Sequence, residues 1–287
     1  MNVLSLFDGI SCGQIALNRA GIKYDQYFAS EIDEDAINVT QYNYPKTTQL
    51  GSILNVFSKN LPEIDLLMGG SPCQSLSVSG NQEGFSGKSG LFYEWLRVFK
   101  EVKPRFFLLE NVVMKKEWEE HITNLVGVQP ILIDSADFSV QRRKRLYWTN
   151  IPVGPWAKRE IFIKDIIEDL PDCRYEFVHD GLSKFGKVCK SYLQYDGPAG
   201  RGNRSQNYRA YFLDGKMGTL SYSAPHGSKI LLNDGRIRKT THLEHERLQT
   251  IPDNYTSLLA INKAKAAIGN GWTVDVIVHI FRALKSS

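Results

Sequence analysis

The first 150 residues alternate short apolar runs with amphipathic stretches, and this alternation limits the fold more than any other feature. "NVLSLF", "YFASEI", "DLLMGG", "RFFLLENV", "PILIDSADF" and "RLYWTN" read as strands, while "GQIALNRAGI", "DEDAINVTQYNY" and "GLFYEWLRVFKEV" carry helical spacing. Near-continuous apolar strands separated by amphipathic helices predict an α/β fold: a mostly parallel sheet covered by helices on both faces. Ligands in such sheets bind beyond the carboxyl ends of the strands. Most of the chemically suggestive residues of this chain fall there.

After "NIPVGPW" the pattern is lost. Residues from about 155 to 240 are rich in Gly, Lys, Arg, Tyr and Ser, with turn signals such as "DGPAGRGNRS", "LDGK" and "NDGR". This predicts a smaller, irregular domain of short strands and loops at 155–254. The first domain would then span 1–154, completed by a helical segment, 255–287, that packs back on it. Residues 183 to 239 hold eleven Lys or Arg against three Asp, a net +8 that leaves the remainder at −4 of the total of +4. A basic segment on a slightly acidic body suggests a polyanion-binding face, with a solvated basic loop as the plainer alternative. Four cysteines lie far apart without a CxxC pair, which suggests neither a zinc site nor a disulfide framework and fits a reduced, cytoplasmic protein. No apolar run approaches the roughly 20 residues of a membrane span, and the amino terminus enters a strand pattern without a signal peptide.

Within this frame a few residues carry chemistry. "LFDGISCGQIAL" leaves a strand, turns on Gly9 and Gly13, and enters a helix, as a turn that admits a ligand to the backbone does; it lacks the GxGxxG pattern of a dinucleotide site. About twenty residues on, Glu31 ends the next strand, where an acid can accept hydrogen bonds from ribose hydroxyls. The pair suggests a nucleoside cofactor without phosphates, against an ordinary tight turn. In "GGSPCQSLS" one thiol, Cys73, follows Pro72 at the mouth of a polar loop, a place suited to a nucleophile. Glu110 in "FFLLENV" ends an apolar strand, where a partly desolvated carboxyl could donate a proton; a helix-capping "EN" pair is the alternative. Gln141, Arg143 and Arg145 in "QRRKR" share one face if extended and suit carbonyl or phosphate recognition, or form a solvated strand end.

Taken in order, these motifs resemble the DNA cytosine-5 methyltransferase family over nearly the whole chain. "FDGISCG" resembles its first motif, "SPCQ" its nucleophile motif, "ENV" its acid motif and "QRRKR" its QxRxR motif. "RKTTHLEHERLQTIPDNY" resembles the motif that shapes the recognition domain, and "IGNGWTVDVI" the one that completes the cofactor pocket. The type is a minimal bacterial or phage enzyme, with "FDGI" and Trp272 similar to the mammalian de novo branch. The implied fold is a Rossmann-like S-adenosylmethionine-dependent methyltransferase sheet with a target-recognition domain. The implied chemistry is methyl transfer to C5 of cytosine after Cys73 attacks C6. Glu110 engages N3 and the exocyclic amine, and Arg143 and Arg145 hold the base. For S-adenosylmethionine the resemblance implies Phe7 on the adenine, Glu31 on the ribose and Ile32 on the purine face. Asn270 and Trp272 stand at the methionine end, and Asp8, Gly9, Gly13, Ile53, Pro72 and Leu91 line the pocket. Ser52 stands where many members have an aspartate on the adenine amine. No metal is required.

The target base must be flipped from duplex DNA, and the glycine-studded stretch from Gln74 to Gly90 has the composition of a closing lid. Lys184, Lys187, Lys190, Arg201, Arg204 and Arg209 would contact phosphates, with Ser77, Gln141 and Arg238 also on the DNA. A tRNA cytosine-5 methyltransferase of the same fold is the alternative; the Cys-Phe-Thr motif of that branch is absent here. The partner expected is double-stranded DNA rather than a membrane, with a cognate restriction endonuclease left open and the nucleoid as the place of work.

Overall fold

The computed structural model describes residues 1–72, 90–170, 187–189, 192–194, 209–220 and 229–286. The chain runs through β1 (Asn2–Leu6), α1 (Cys12–Ala20), β2 (Gln26–Ser30), α2 (Glu34–Asn43), β3 (Thr48–Gln49), β4 (Leu66–Gly70), α3 (Leu91–Val102), β5 (Phe106–Val112), α4 (Lys116–Val126), β6 (Ile131–Asp134) and β7 (Lys144–Thr149). It continues through β8 (Lys187–Cys189), β9 (Tyr192–Gln194), β10 (Arg209–Phe212), β11 (Lys229–Leu231), β12 (Ile237–Lys239), α5 (His242–Leu248), α6 (Ile261–Asn270) and α7 (Val274–Arg282). Two compact units result. The first holds 1–134, 144–156 and 274–287; the second holds 135–143 and 157–273. The second unit is therefore larger than the sequence suggests, taking 135–143 and the segment through α6.

Among the described residues, the first unit carries a seven-stranded sheet in the order β3-β2-β1-β4-β5-β7-β6. All its pairs are parallel except those of β7, which runs against both β5 and β6. This is the α/β sheet the apolar runs predict, because strands buried on both faces read as unbroken hydrophobic stretches. On one face Leu4, Leu6, Leu67, Phe107 and Leu109 pack with Phe92, Trp95 and Val98 of α3 and Ile122 of α4. Burial of each such side chain contributes roughly 1.5–3 kcal/mol. Trp148 is fully buried there, and its indole N–H is satisfied by Thr123 Oγ1 at 2.9 Å. On the other face, α1 lies so close that a Cβ on Gly13 would stand 2.4 Å from the Met68 methyl and 3.1 Å from the Tyr27 hydroxyl. Helix α7 covers α1, pinned by Arg19 to Asp275 at 2.6 Å.

The second unit holds a five-stranded sheet in the order β12-β11-β10-β9-β8, antiparallel except for the β10–β11 pair. Its strands are three or four residues long, in keeping with weak periodicity in the sequence. Helix α5 begins with a capping box in which Thr241 and Glu244 satisfy each other's backbone N–H groups.

Candidate active site

Three left-handed residues shape the turn that leaves β1. Phe7, Gly9 and Ser11 have φ of 57°, 57° and 59°. For Phe7 and Ser11 this conformation costs on the order of 1–3 kcal/mol and persists only where the surroundings enforce it. Here they do. Asp8 N donates to Ser30 O at 3.1 Å and Ser11 N to Asp8 O at 3.1 Å. Gly9 N donates to Glu31 Oε2 at 2.7 Å, and Thr40 Oγ1 donates to Gly9 O at 3.3 Å. Above Gly9 there is open space, since a Cβ built there meets nothing within 4 Å. Ile32, directly after Glu31, is 74% exposed and Leu54 56%, apolar surface left uncovered at the carboxyl ends of the strands.

This donor set suits a nucleoside. Glu31 Oε1 accepts from Ile32 N at 2.8 Å and Asp33 N at 3.0 Å. With Gly9 on the other oxygen the carboxylate is fixed in place, and its roughly four lone-pair sites leave room for a hydroxyl. Other expected cofactor residues are placed differently. Gly13 lies inside α1, where it allows close packing on Met68 and is not part of the turn. Ile53 is 4% exposed within the apolar core. The Ser52 hydroxyl accepts from Leu54 N at 3.3 Å, capping a short helical turn. Phe7 is half-buried against the same core, and Leu91 opens α3 there. The Asp8 carboxyl turns inward: Tyr27 Oη donates to its Oδ1 at 2.7 Å, and Oδ2 is buried with no hydrogen-bond partner among the described residues. Burial pushes the Asp8 carboxyl up to about 6.

At the next strand ends, Gly70 of β4 pairs with Glu110 of β5. Glu110 Oε1 receives Arg145 Nε at 2.8 Å, with side chains 11% and 15% exposed. The "EN" pair is no helix cap; both residues lie within β5. Asn111, 1% exposed, donates from Nδ2 to Ser71 Oγ at 3.1 Å and so ties β5 to the segment leading to Pro72. Sequence reasoning gave no role to Tyr27, Ser71 or Asn111, although "SPC" and "ENV" contain the last two. Cys73 and Ser77 lie outside the described residues.

In the second unit three expectations need correction, those for Arg143, Arg238 and Gln141. Arg143, 6% exposed, donates from Nη1 to Leu220 O at 2.9 Å and from Nη2 to Gly269 O and Gly271 O at 3.2 Å each. Arg238, 3% exposed, grips Glu244 through two hydrogen bonds of 2.6 and 2.9 Å. A guanidinium held this way braces the unit and is not presented to a phosphate or a base. Gln141 is likewise fully buried, accepting from Leu220 N at 2.8 Å. Arg209 stacks over the Tyr192 ring at 4.6 Å, and Lys187 lies on β8. Exposed Asn270 ends α6 and half-buried Trp272 follows it. Lys184, Lys190, Arg201 and Arg204 lie outside the described residues.

An acid paired with an arginine at the strand ends, beside an open nucleoside-like turn, matches one family along its length: the profile of C-5 cytosine-specific DNA methylases aligns with residues 1–286. The chain belongs to that family. It is 42% identical over 235 residues to the orphan methyltransferase M.Rho11sI of Bacillus phage rho11s, an alignment covering 64% of this chain and 47% of that protein. The orphan methyltransferase M.SPRI of Bacillus phage SPR is 37% identical over 166 residues, 51% of this chain and 37% of the relative. The chain thus spans less than half the length of these two phage proteins. The type II methyltransferase M.NgoPII of Neisseria gonorrhoeae is 27% identical across all of this chain and 96% of its own. The S. pombe Dnmt2 methyltransferase structure superposes with a TM-score of 0.71 at 18% identity, covering 100% of this chain and 99% of that one. The Entamoeba histolytica methyltransferase EhMeth gives 0.73 at 15%, covering 100% and 98%. The fold is therefore that of the C5 methyltransferases, the Rossmann-like sheet implied by the motifs. No helix among the described residues is long and apolar enough to cross a membrane.

Proposed function

We propose that this methyltransferase acts on cytosine C5 in a short duplex-DNA sequence, with Cys73 as nucleophile and S-adenosylmethionine as methyl donor. The observation that carries the reading is the Glu110–Arg145 pair at the end of β5. Unactivated C5 is a poor nucleophile. Addition of the Cys73 thiolate to C6, with Glu110 giving a proton or hydrogen bond at N3, places electron density on C5. Arg145 keeps Glu110 aimed. When bound, S-adenosylmethionine supplies the electrophilic methyl. Loss of the C5 proton to water then expels the thiolate, and return of the N3 proton to Glu110 restores the aromatic ring. Glu31 would hold the ribose, the open face of Gly9 and exposed Ile32 would receive the adenine, and Asn270 and Trp272 would serve the methionine end.

DNA is the proposed substrate because the family is one of DNA methylases and the segment from 183 to 239 is strongly basic. Lys184, Lys187, Lys190, Arg201, Arg204 and Arg209 are its proposed phosphate contacts and Ser77 a further DNA contact; a cytoplasmic, nucleoid-associated enzyme would follow. A companion endonuclease is the partner that the type II relative's name suggests and the phage relatives' names do not.

Labelled methyl transfer from S-adenosylmethionine to duplex DNA, with structured RNA in parallel, tests the reading. Label at cytosine of the duplex, absent with Cys73→Ser, is expected. Label in the RNA alone would move the substrate to RNA, and turnover by Cys73→Ser would refute the covalent mechanism.

A further inference from the structure

The Asp8 carboxyl has no role in the chemistry above, yet it sits under the turn that forms the proposed cofactor site. We propose that Tyr27 and Asp8 are a buried positioning pair for that site: neither side chain touches the ligand, and together they hold the Phe7–Ser11 turn in the shape that receives it.

The inference deepens the S-adenosylmethionine reading and rests on it. The turn contains two non-glycine residues with positive φ, so it needs bracing from both sides. On the outer side Glu31 takes Gly9 N at 2.7 Å. On the inner side Asp8 reaches back across the sheet to Tyr27 of β2 at 2.7 Å. The two braces attach to neighbouring residues of the turn and both anchor in β2 or just beyond it. Gly13 completes the fit, since any side chain there would displace the Tyr27 hydroxyl and the Met68 methyl.

The groups facing Asp8 are the Ser5 hydroxyl from β1, Tyr27 from β2, the Ser11 hydroxyl beside α1, and Glu31 as a like charge. Tyr27 is itself pushed well above its ordinary range, so it stays a donor at every working pH. Asp8 changes charge near pH 6. Above that, the Tyr27 bond is charge-assisted and strong; below it, the brace weakens.

Calorimetric titration with S-adenosylhomocysteine across pH tests this without turnover. The unaltered protein should lose roughly ten-fold in affinity from about pH 7.5 to about pH 5, equivalent to one weakened charge-assisted bond. Asp8→Asn should bind at the low-pH level throughout, with that slope gone. Tyr27→Phe should bind roughly ten-fold more weakly near neutrality, with the midpoint moved upward, because the Tyr27 hydroxyl is one of the groups that hold Asp8 down. Thermal melts of the same proteins separate simple destabilisation, which would lower the melting temperature and leave the midpoint in place. A slope that survives Asp8→Asn, or a Tyr27→Phe protein with unchanged affinity and midpoint, overturns the proposal. No binding by the unaltered protein at any pH overturns the cofactor reading, and this role with it.

Discussion

Two carboxylate–guanidinium pairs stand in the two units, and they are built to different ends. In the second unit, Arg238 and Glu244 are 3% and 1% exposed at the side chain. Glu244 accepts from both Arg238 nitrogens, from Glu168 N at 2.9 Å and from Thr241 N at 2.9 Å, which uses all four lone-pair sites. In the first unit, Glu110 and Arg145 meet at 2.8 Å and keep 11% and 15% of their side chains exposed. A fully satisfied, sealed carboxylate has nothing left to offer a substrate. Glu110 keeps part of its side chain accessible beside its arginine. Burial of charge alone therefore marks neither pair as functional; access to the carboxylate does.

Breaking each pair should separate the roles. Glu110→Gln is expected to slow methyl transfer by roughly 10²–10⁴-fold, the range for loss of a positioned acid, while moving the melting temperature little. Glu244→Gln should do the reverse in kind. It leaves the Arg238 guanidinium buried beside a neutral amide, costing about 3–5 kcal/mol and lowering the melting temperature by on the order of 10 °C. If Glu110→Gln instead unfolded the protein at constant activity per folded molecule, the contrast would collapse.

Titration sharpens the comparison further. Asp8 in the first unit is raised from 3.8 to about 6, so its folded form binds a proton more tightly than the unfolded chain. Stability from this group is full below pH 3.8 and is lost as pH rises through 6. His245 in the second unit is lowered from 6.5 to about 3 by burial, then by Lys265 and His242, so its contribution is full above pH 6.5 and is lost on acidification. Between about pH 6.5 and pH 4, amides of β1 and β2 should gain protection while those of α5 lose it, once intrinsic exchange is corrected. Asp8→Asn should stabilise the protein above pH 6 while weakening cofactor binding, a trade common at strained sites.

The smallest effect belongs to a third pair, Arg247 and Asp253, with side chains 29% and 43% exposed at 2.6 Å. Asp253→Asn should cost about 0–1 kcal/mol in a urea melt, screened by salt. A loss as large as that of Glu244→Gln would break the graded relation between burial and cost.

Much of the first unit was legible, because strands covered on both faces must be apolar almost throughout. What escaped had a local cause. β3 is only Thr48–Gln49, too short and polar to read. α4 packs Trp118, Ile122, Leu125 and Val126 on the core at helical spacing, a stripe that was present in "KEWEEHITNLV" but diluted by its five charged or polar residues in the first six positions. "PILIDSADF" ends as a strand at Asp134 because Ser135–Asp137 form a tight helical turn. Among site residues, Glu110 follows a run of apolar residues that marks the strand, which continues two residues beyond it. Arg143 was read as holding the base and Arg238 as a DNA contact, because a list of charges does not say which carbonyl or carboxylate will meet each one. Tyr27 was unreadable as a brace, since its partner lies nineteen residues earlier and meets it only through the parallel register of β1 and β2.

The segment 135–143 belongs by its contacts to the second unit, although β6 and β7 on either side of it are strands of the first. Gln141 and Arg143 within it are bonded to Leu220, Gly269 and Gly271. Anyone exchanging the second unit for another, or nature shuffling it by recombination, therefore faces a unit cut in two along the chain. An exchange at 157–273 alone would import carbonyls fitted to another protein's arginine. The minimal exchangeable part is discontinuous, and its small piece ends inside the "QRRKR" motif, whose first three residues belong to the second unit and last two to the first.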